Sequence, residues 1–422
     1  MKYTRLYTKA TQTCLFLLLT LQMAIGAGKT QMIYPTPHKK IIEFGWDIPS
    51  PAYLRDNIRE MEKRPFHGVA IRLPEDAGGG NIFDVQKWGK TTEATREREL
   101  KTLAAIPQSE TLTHNFLTIY GASTMDWFSD SDWKKVMQNV RFCARAAKAG
   151  HCKGLCWDAE PYGGHNPWRL QDQPDYKKHT FAEYYQQARK RGAQLMRAVQ
   201  AEFPGLTIFA LRLLSDFQDG SPFSQHLFNV RDDKLRSEIL EGAWWALHPA
   251  FLNGLLDVIA PETTIVDGNE DAYYYTSELD FFRAARDIRE EALVLVAPEN
   301  RRKYATQVQV GHAVSVEYTH GLWAEALSFP NYLKRQALEL TPEQRLRWFE
   351  QNAYYALKTA DEYIWCYSED MSWWTGKNIP VGLENALRSA LRKNAVNEPL
   401  GYTVEALLQA ARTRLKAKER AQ

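Results

Sequence analysis

The chain has 422 residues, and its 53 Lys and Arg residues nearly balance its 51 Asp and Glu residues, which gives a formal net charge of +2. A near-neutral chain without a basic stripe or an acidic block lacks the electrostatic signature of nucleic-acid binding, so we expect no nucleic-acid partner. Thirteen Trp and twenty Tyr residues are many for this length. Aromatic rings at the mouth of a pocket suit the flat apolar faces of sugars, although large barrels also bury many aromatic residues.

The N-terminus has the order of a secretory signal peptide. Basic residues among the first nine positions precede an apolar run at residues 14–25, which ends in small residues. This run is shorter than the about 20 apolar residues that a membrane-spanning helix needs. We therefore predict a signal peptide at residues 1–27, a single catalytic domain at residues 28–422, and a secreted or periplasmic protein without a membrane partner after cleavage. An uncleaved membrane anchor is the alternative, and the sequence does not indicate the oligomeric state.

Short β-rich runs alternate with longer amphipathic stretches along the rest of the chain, a pattern typical of parallel α/β folds. The predicted strands are Ile41–Gly45, Gly68–Leu73, Asn115–Tyr120, Gly154–Asp158, Thr207–Leu213, Leu255–Ala260, Val308–Val316 and Glu362–Tyr367. The predicted helices include Ala52–Lys63, Thr92–Leu103, Ser131–Ala149, Phe181–Glu202 and Pro342–Ala360. Eight alternations favour a closed α/β fold, the (β/α)8 TIM barrel, over an open doubly wound sheet. An extra C-terminal helix is predicted at Val404–Lys418.

The active site of such a barrel lies at the carboxyl ends of its strands. The residues at or just past the predicted ends are Trp46, Asp47, Arg72, Tyr120, Asp158, Glu160, Arg212, Glu262, Glu317, Trp365 and Glu369. Carboxylates and aromatic rings dominate this set. Cleavage of a glycosidic bond needs one carboxylic acid to protonate the leaving oxygen, while a second carboxylate or the substrate itself stabilises the developing cation. The sequence therefore predicts a glycoside hydrolase with a carbohydrate substrate.

The two arginines in this set have two interpretations. Arg72 and Arg212 are candidates for binding the carboxylate or sulfate of an acidic sugar. Pairing of each arginine with a neighbouring Glu inside the barrel is the structural alternative.

The segment GLCWDAEPYGG, residues 154–164, is the strongest single signal. Asp158 and Glu160 lie on the same strand face because side chains alternate with a period of two. Repulsion between the two carboxylates favours a protonated Glu160, which we predict to be the proton donor. This strand tip resembles the end of the D-x-x-D-x-D-x-E signature of chitinase-like family 18 glycoside hydrolases. The resemblance implies that Glu160 is the acid and that Asp158 orients the N-acetyl group of the substrate. Cys156 stands where that signature has its preceding Asp.

The same segment also resembles the Asn-Glu-Pro tip of strand four in the large clan of retaining glycosidases. That resemblance implies that Glu160 is the acid/base and that Glu317, in the segment SVEY, is the nucleophile. It also implies that Trp365 forms the floor of the sugar site. The chain departs from the clan at Ala159, which separates Asp158 from Glu160, whereas the clan has an adjacent pair.

The sequence leaves three mechanisms of glycoside hydrolysis open, and it also leaves open a carbohydrate-binding function without catalysis. Retaining cleavage by Glu160 and Glu317 would place their carboxyl groups roughly 5 to 5.5 Å apart. A substrate-assisted reaction would use the acetamido group of an N-acetylhexosamine as the nucleophile. An inverting enzyme, with carboxyl groups about 6.5 to 9.5 Å apart, would use Glu262 or Glu369 as its base. A carbohydrate-binding barrel without catalysis is the alternative that Cys156 keeps open.

Other chemistries lack their motifs. The GGG at residues 78–80 is not followed by Lys-Ser or Lys-Thr, so it is not a phosphate-binding loop. The sequence contains neither G-x-S-x-G nor H-E-x-x-H. The cysteines do not have the spacing of paired zinc motifs, so we predict no metal and no cofactor. A disulfide between Cys143 and Cys152 is conceivable in an oxidising compartment.

Overall fold

The computed structural model describes residues 39–218, 226–322 and 331–421. The predicted signal peptide at residues 1–27 lies outside these residues. Within the described ranges, none of the helices combines the length and the apolar character that crossing a membrane requires.

A parallel barrel forms the centre of the structure. Its strands are β1 (Lys40–Gly45), β2 (Gly68–Ile71), β3 (Phe116–Tyr120), β4 (Gly154–Asp158), β5 (Thr207–Ala210), β6 (Thr264–Asp267), β7 (Val308–Val310), β8 (His312–Ser315) and β9 (Tyr363–Ser368). Each strand from β1 to β6 pairs in parallel with the next one, so this run ends at β7. β9 pairs with β1 on one side and with β8 on the other. The predicted fold class is therefore confirmed.

β7 and β8 are two halves of one strand that closes the barrel. β7 pairs with β6, Gly311 follows, and β8 then pairs with β9. A Cβ atom on Gly311 would lie 2.9 Å from Cγ1 of Val266 and 3.2 Å from the carbonyl oxygen of Tyr363, closer than ordinary contacts allow. Glycine therefore lets the strand pass from one neighbour to the other. This closure excludes the open doubly wound sheet.

The helices lie outside the barrel. They are α1 (Pro51–Met61), α2 (Val85–Trp88), α3 (Glu93–Ala104), α4 (Asp130–Ala149), α5 (Phe181–Glu202), α6 (Asp233–Glu241), α7 (His248–Val258), α8 (Glu278–Arg289), α9 (Arg301–Gln307), α10 (Val316–His320), α11 (Asn331–Leu338), α12 (Pro342–Thr359), α13 (Leu383–Ala395) and α14 (Glu405–Ala421). Local signals set several boundaries. Thr180, for example, caps α5 by accepting the N–H of Glu183, whose carboxylate accepts the N–H of Thr180 in return. The extra C-terminal helix is present as α14.

The predicted sixth strand was wrong. The segment Leu255–Ala260 largely belongs to α7, and the sixth strand is β6, Thr264–Asp267. A short continuous apolar run fits a buried helix as well as a buried strand, because periodicity does not separate the two. The error moves Glu262 to the amino end of β6. Its Cγ lies 3.3 Å from the position of a Cβ on Gly205, which precedes β5, so Glu262 is on the face opposite the carboxyl ends.

Much of the aromatic content serves packing. Six Trp side chains are fully buried among the described residues: Trp127, Trp133, Trp168, Trp348, Trp365 and Trp373. Phe83, for example, contacts the rings of Trp127 and Trp157 between the barrel and its outer helices. The high Trp count therefore reflects the core more than a sugar site.

The cysteines also belong to the interior. Cys143, Cys152, Cys156 and Cys366 are buried free thiols. The conceivable disulfide between Cys143 and Cys152 is therefore not formed.

Candidate active site

Asp158 and Glu160 lie at the carboxyl end of β4. Asp158 is the last residue of the strand and only 3% exposed, whereas the side chain of Glu160 is 27% exposed. The backbone N–H of Glu160 donates to Oδ1 of Asp158 over 3.1 Å. Burial, followed by the charge of Glu160, raises the pKa of Asp158 to about 8. Asp158 therefore carries a proton at neutral pH.

Tyr162 connects the two carboxyl groups. Its hydroxyl donates to Oε2 of Glu160, and it also forms a hydrogen bond with Asp158. Burial raises the pKa of Tyr162, so its phenol stays protonated. The sequence-based candidate residues did not include Tyr162, although it lies only two positions after Glu160. The Tyr162 hydroxyl therefore links Asp158 to Glu160, whose Oε2 accepts its hydrogen bond.

Arg212, which follows β5, holds Glu160 from the other side. The arginine is 4% exposed, and its Nε lies 3.0 Å from Oε1 of Glu160. Its Nη1 lies 2.9 Å from Oδ1 of Asp216 and 3.6 Å from Oδ1 of Asp271, while its Nη2 lies 2.7 Å from Oε1 of Glu270. The positive charge of Arg212 thus compensates the negative charges of several carboxylates at once. Of the two interpretations of Arg212, these contacts favour pairing with acidic neighbours.

A cavity of about 440 Å³ opens beside Asp158. It is lined by Phe44, Gly45, Trp46, Ile48, Arg72, Asn81, Lys87, Tyr120, Asp158, Tyr162 and Tyr367. Trp46 is 67% exposed, so its ring is available to a ligand. Four aromatic rings with hydrogen-bonding edges and one protonated carboxyl group therefore surround this space, a combination that suits a sugar ring.

Part of the cavity wall carries positive charge. Arg72, just after β2, lies 5.4 Å from the centroid of the Tyr120 ring. Its Nη2 donates to Oε1 of Glu75 over 2.6 Å, and Lys87 pairs with the other oxygen of Glu75. The sequence-based candidates included Arg72 and Tyr120 but not Lys87, which lies on the short helix α2.

Glu317 and Glu369 form a neighbouring acidic pair beyond β8 and β9. Glu317 is 0% exposed, and its Oε1 accepts the backbone N–H of Glu369. Burial raises the pKa of Glu317 to about 7, although the N–H of Glu369 opposes the shift. The hydroxyl of Tyr367 donates to Glu369. Tyr367 also lines the cavity, so this acidic pair adjoins the cavity wall through Tyr367.

Asp47 and Trp365 have structural partners. Oδ2 of Asp47 accepts the backbone N–H of Trp373 over 3.0 Å, which fixes the loop after β9. Burial raises the pKa of Asp47 and of Glu43, its hydrogen-bonding neighbour inside the barrel. Trp365 is 0% exposed, and its indole N–H donates to the carbonyl oxygen of Gly268 over 2.8 Å. In this position Trp365 packs the core rather than presenting a floor to a sugar.

The structure thus divides the predicted site residues into groups. Asp158, Trp46, Arg72 and Tyr120 line one cavity, and Glu160 adjoins it through Tyr162. Glu270 was missed because it follows β6, which the sequence interpretation placed too early. Among the described residues, no group of three or more His, Cys, Asp or Glu side chains is arranged to hold a metal ion.

Comparisons with known proteins add little to this geometry. Neither a protein-family model nor a curated protein sequence matches the chain. A similar solved structure is the beta-mannanase from the blue mussel Mytilus edulis, with 11% sequence identity and a TM-score of 0.33. The alignment covers 85% of this chain and 92% of the mannanase chain. A likeness at this level carries no functional argument, so the functional interpretation depends on the side chains of the site.

Proposed function

We propose that this protein is a glycoside hydrolase in which the Asp158–Glu160 pair supplies acid/base catalysis. One observation carries the proposal: two carboxyl groups joined by Tyr162 lie at the carboxyl end of β4, beside an aromatic-lined cavity of about 440 Å³. Glycosidic bond cleavage needs a proton donor next to a site that accepts a sugar ring. The exposed ring of Trp46 and the hydroxyls of Tyr120 and Tyr162 suit the apolar and polar parts of such a ring.

The proton that the leaving oxygen needs is stored in this pair. Asp158 holds a proton at neutral pH because burial and the charge of Glu160 raise its pKa to about 8. The Tyr162 hydroxyl links Asp158 to Glu160, so it provides a path for a proton from one carboxyl to the other. Glu160, the more exposed of the two, delivers the proton to the leaving oxygen. An acid whose pKa lies near the working pH is effective in this role.

The position of Glu317 favours a reaction that does not use it as the nucleophile. A nucleophile must reach the anomeric carbon, whereas Glu317 is fully buried and its Oε1 accepts the backbone N–H of Glu369. In the substrate-assisted reaction, the acetamido oxygen of the substrate bonds to the anomeric carbon as the bond to the leaving oxygen breaks. Glu160 protonates that oxygen, and Asp158 orients the acetamido group. Water then opens the cyclic intermediate with Glu160 as the base. We therefore infer a substrate that contains an N-acetylhexosamine.

Hydrolysis of a panel of natural oligosaccharides with and without N-acetylhexosamine tests this proposal. Wild type should cleave an N-acetylated member, and Glu160→Gln and Asp158→Asn should each lower kcat at least about 100-fold. Glu317→Gln is the matched control and should retain most of the turnover. If Glu317→Gln and Glu160→Gln each abolish turnover, the retaining mechanism with Glu317 as the nucleophile is supported instead. Turnover that is unchanged in Glu160→Gln would disprove the proposed acid, and glycan binding without cleavage by wild type would identify a carbohydrate-binding barrel.

Export of this hydrolase is a second part of the proposal. It is supported by the basic, apolar and small-residue order of the N-terminal segment. Expression of the full chain with its own N-terminus should give a secreted or periplasmic product whose first residue lies near position 28. A product that starts at the initiator residue and sediments with membranes would instead identify an uncleaved anchor.

A further inference from the structure

Two cations, Arg72 and Lys87, converge on one wall of the cavity that Asp158 also lines. Arg72 and Lys87 both line the cavity, and both pair with the same exposed carboxylate, Glu75. Each side chain retains exposed surface, 46% for Arg72, 29% for Lys87 and 58% for Glu75. Two positive charges therefore face one negative charge at this wall, which leaves an excess positive charge inside a site proposed to bind sugars.

The donors of these cations are only partly used. The carboxylate of Glu75 accepts a hydrogen bond from Nη2 of Arg72 and forms an ion pair with Nζ of Lys87. Within residues 39–218, 226–322 and 331–421, Nε and Nη1 of Arg72 have no side-chain or backbone acceptor. A planar guanidinium with free N–H groups is suited to a carboxylate or a sulfate, and an ammonium group adds a second donor.

The loop after β2 fixes this wall in place. Gly78, Gly79 and Gly80 have φ values of +89°, +57° and +81°, a left-handed conformation that L side chains rarely adopt. The carbonyl oxygen of Gly80 accepts the N–H of Tyr120 over 3.0 Å, which ties the loop to the end of β3. A Cβ on Gly79 would lie 2.9 Å from Oε1 of Glu75, so the glycine leaves room for that carboxylate. The two cations are therefore preorganised rather than carried on a free loop.

We propose that Arg72 and Lys87 form an anionic subsite, which binds a carboxylate or sulfate substituent of the substrate. In the ligand-free protein the carboxylate of Glu75 occupies the position that this substituent takes. The inference rests on the proposed function, because it names the class of glycan that the cavity receives: an oligosaccharide with an acidic sugar beside the N-acetylhexosamine. Uronic acids and sulfated sugars share the anionic chemistry that this subsite recognises.

Binding is tested in the Glu160→Gln background, so that cleavage does not alter the ligand. Calorimetric titration compares oligosaccharides of alternating N-acetylhexosamine and uronic acid with the same oligosaccharides after reduction of their carboxyl groups to alcohols. Sulfated neutral oligosaccharides form a second arm, which distinguishes sulfate from carboxylate. We expect an acidic ligand to bind about tenfold more tightly than its neutral counterpart. This preference should shrink as ionic strength rises.

Variants assign the preference to the subsite. Arg72→Met and Lys87→Met should each remove most of the preference for the acidic ligand over its neutral counterpart. Glu75→Gln should strengthen binding of the acidic ligand, because it removes the competing carboxylate. Loss of a merely structural contact would not produce such a gain. Arg98→Met is the matched control, since Arg98 pairs with Asp76 and Glu99 outside the cavity lining.

The outcomes separate this inference from the proposed function. A charge preference that depends on Arg72 and Lys87 supports the subsite even if wild type cleaves nothing. Cleavage of neutral glycans with no preference for acidic ones would overturn the subsite and leave the hydrolase intact. Failure of every acidic ligand to bind more tightly than its neutral counterpart would likewise overturn it.

Discussion

Arg212 and Glu160 form an ion pair between the carboxyl ends of two adjacent strands, with Nε of Arg212 3.0 Å from Oε1 of Glu160. The strands β4 and β5 pair in parallel up to Trp157 and Ala210, so the residues just beyond them are neighbours. The buried guanidinium therefore fixes the position of the carboxylate that we propose as the acid/base. Glu160 is positioned by a residue that lies 52 positions away in the sequence.

Removal of Arg212 should destabilise the fold. Arg212→Met would leave Glu160, Asp216 and Glu270 near one another without a compensating charge, and breaking a buried ion pair in this way costs about 3–5 kcal/mol. Urea denaturation should show this loss in the free energy of unfolding. Lys63→Met, which breaks only the exposed ion pair with Glu60, should cost much less. Equal losses of unfolding free energy in the two variants would contradict the proposal that Arg212 compensates several buried carboxylates.

Stability should depend on pH through Asp158. The pKa of Asp158 is about 8 in the folded protein, against an ordinary value of 3.8, so the folded state binds more protons between these values. Its contribution to stability is therefore fully present below pH 3.8 and is lost as the pH rises through about 8. Asp158→Asn should flatten the decline in the free energy of unfolding between pH 5 and pH 8, measured with urea. An identical decline in wild type and variant would contradict the raised pKa.

Activity should fall at high pH for the same reason. Loss of the proton from Asp158 removes the acid reserve of the pair, so kcat should decline with an apparent pKa of about 8. The decline is read from kcat against pH on the best oligosaccharide of the panel. Tyr162→Phe should lower kcat and change this profile, because it interrupts the link between Asp158 and Glu160. A profile that stays flat to pH 10 would contradict the proposed proton reserve.

Trp46 should contribute to glycan binding and little to stability. Its ring is 67% exposed at the cavity, and stacking of an aromatic ring contributes about 1 kcal/mol. Trp46→Ala should therefore weaken oligosaccharide binding about fivefold in a calorimetric titration. Val381→Ala, at a side chain that is 95% exposed and outside the cavity lining, is the control. A large drop in unfolding free energy for Trp46→Ala would instead show that the ring packs the fold.

The four described cysteines should be unreactive until the protein unfolds. Burial raises the pKa of Cys143 and of Cys152 to about 12, and the thiolate is the reactive form. A thiol reagent at pH 8 should therefore label them only in denaturant, and reduction should leave the mass of the protein unchanged. A gain of two hydrogens on reduction would reveal the disulfide that the structure lacks.

Local sequence patterns predicted most of the barrel. Alternating β-rich and amphipathic runs gave seven of the eight predicted strands close to their final positions. Asp158 and Glu160 were chosen as candidate site residues from local sequence order alone. They lie on one face at the end of strand four, and the active site of a barrel lies at the carboxyl ends of its strands. The sixth strand was misplaced because a buried helix and a buried strand share one continuous apolar run.

The sequence by itself determined the strand–helix order, the strand-four carboxyl pair and the residue types near the strand ends. Only the tertiary structure decided which of these side chains face solvent and which charges meet. Glu317 and Trp365 have the same strand-end signal as Glu160, yet both are fully buried. The approach of Lys87 to the Arg72–Glu75 pair is likewise absent from any local pattern. Burial and charge contacts arise between distant segments, and they set the pKa values and the accessibility of the side chains on which the proposed catalysis depends.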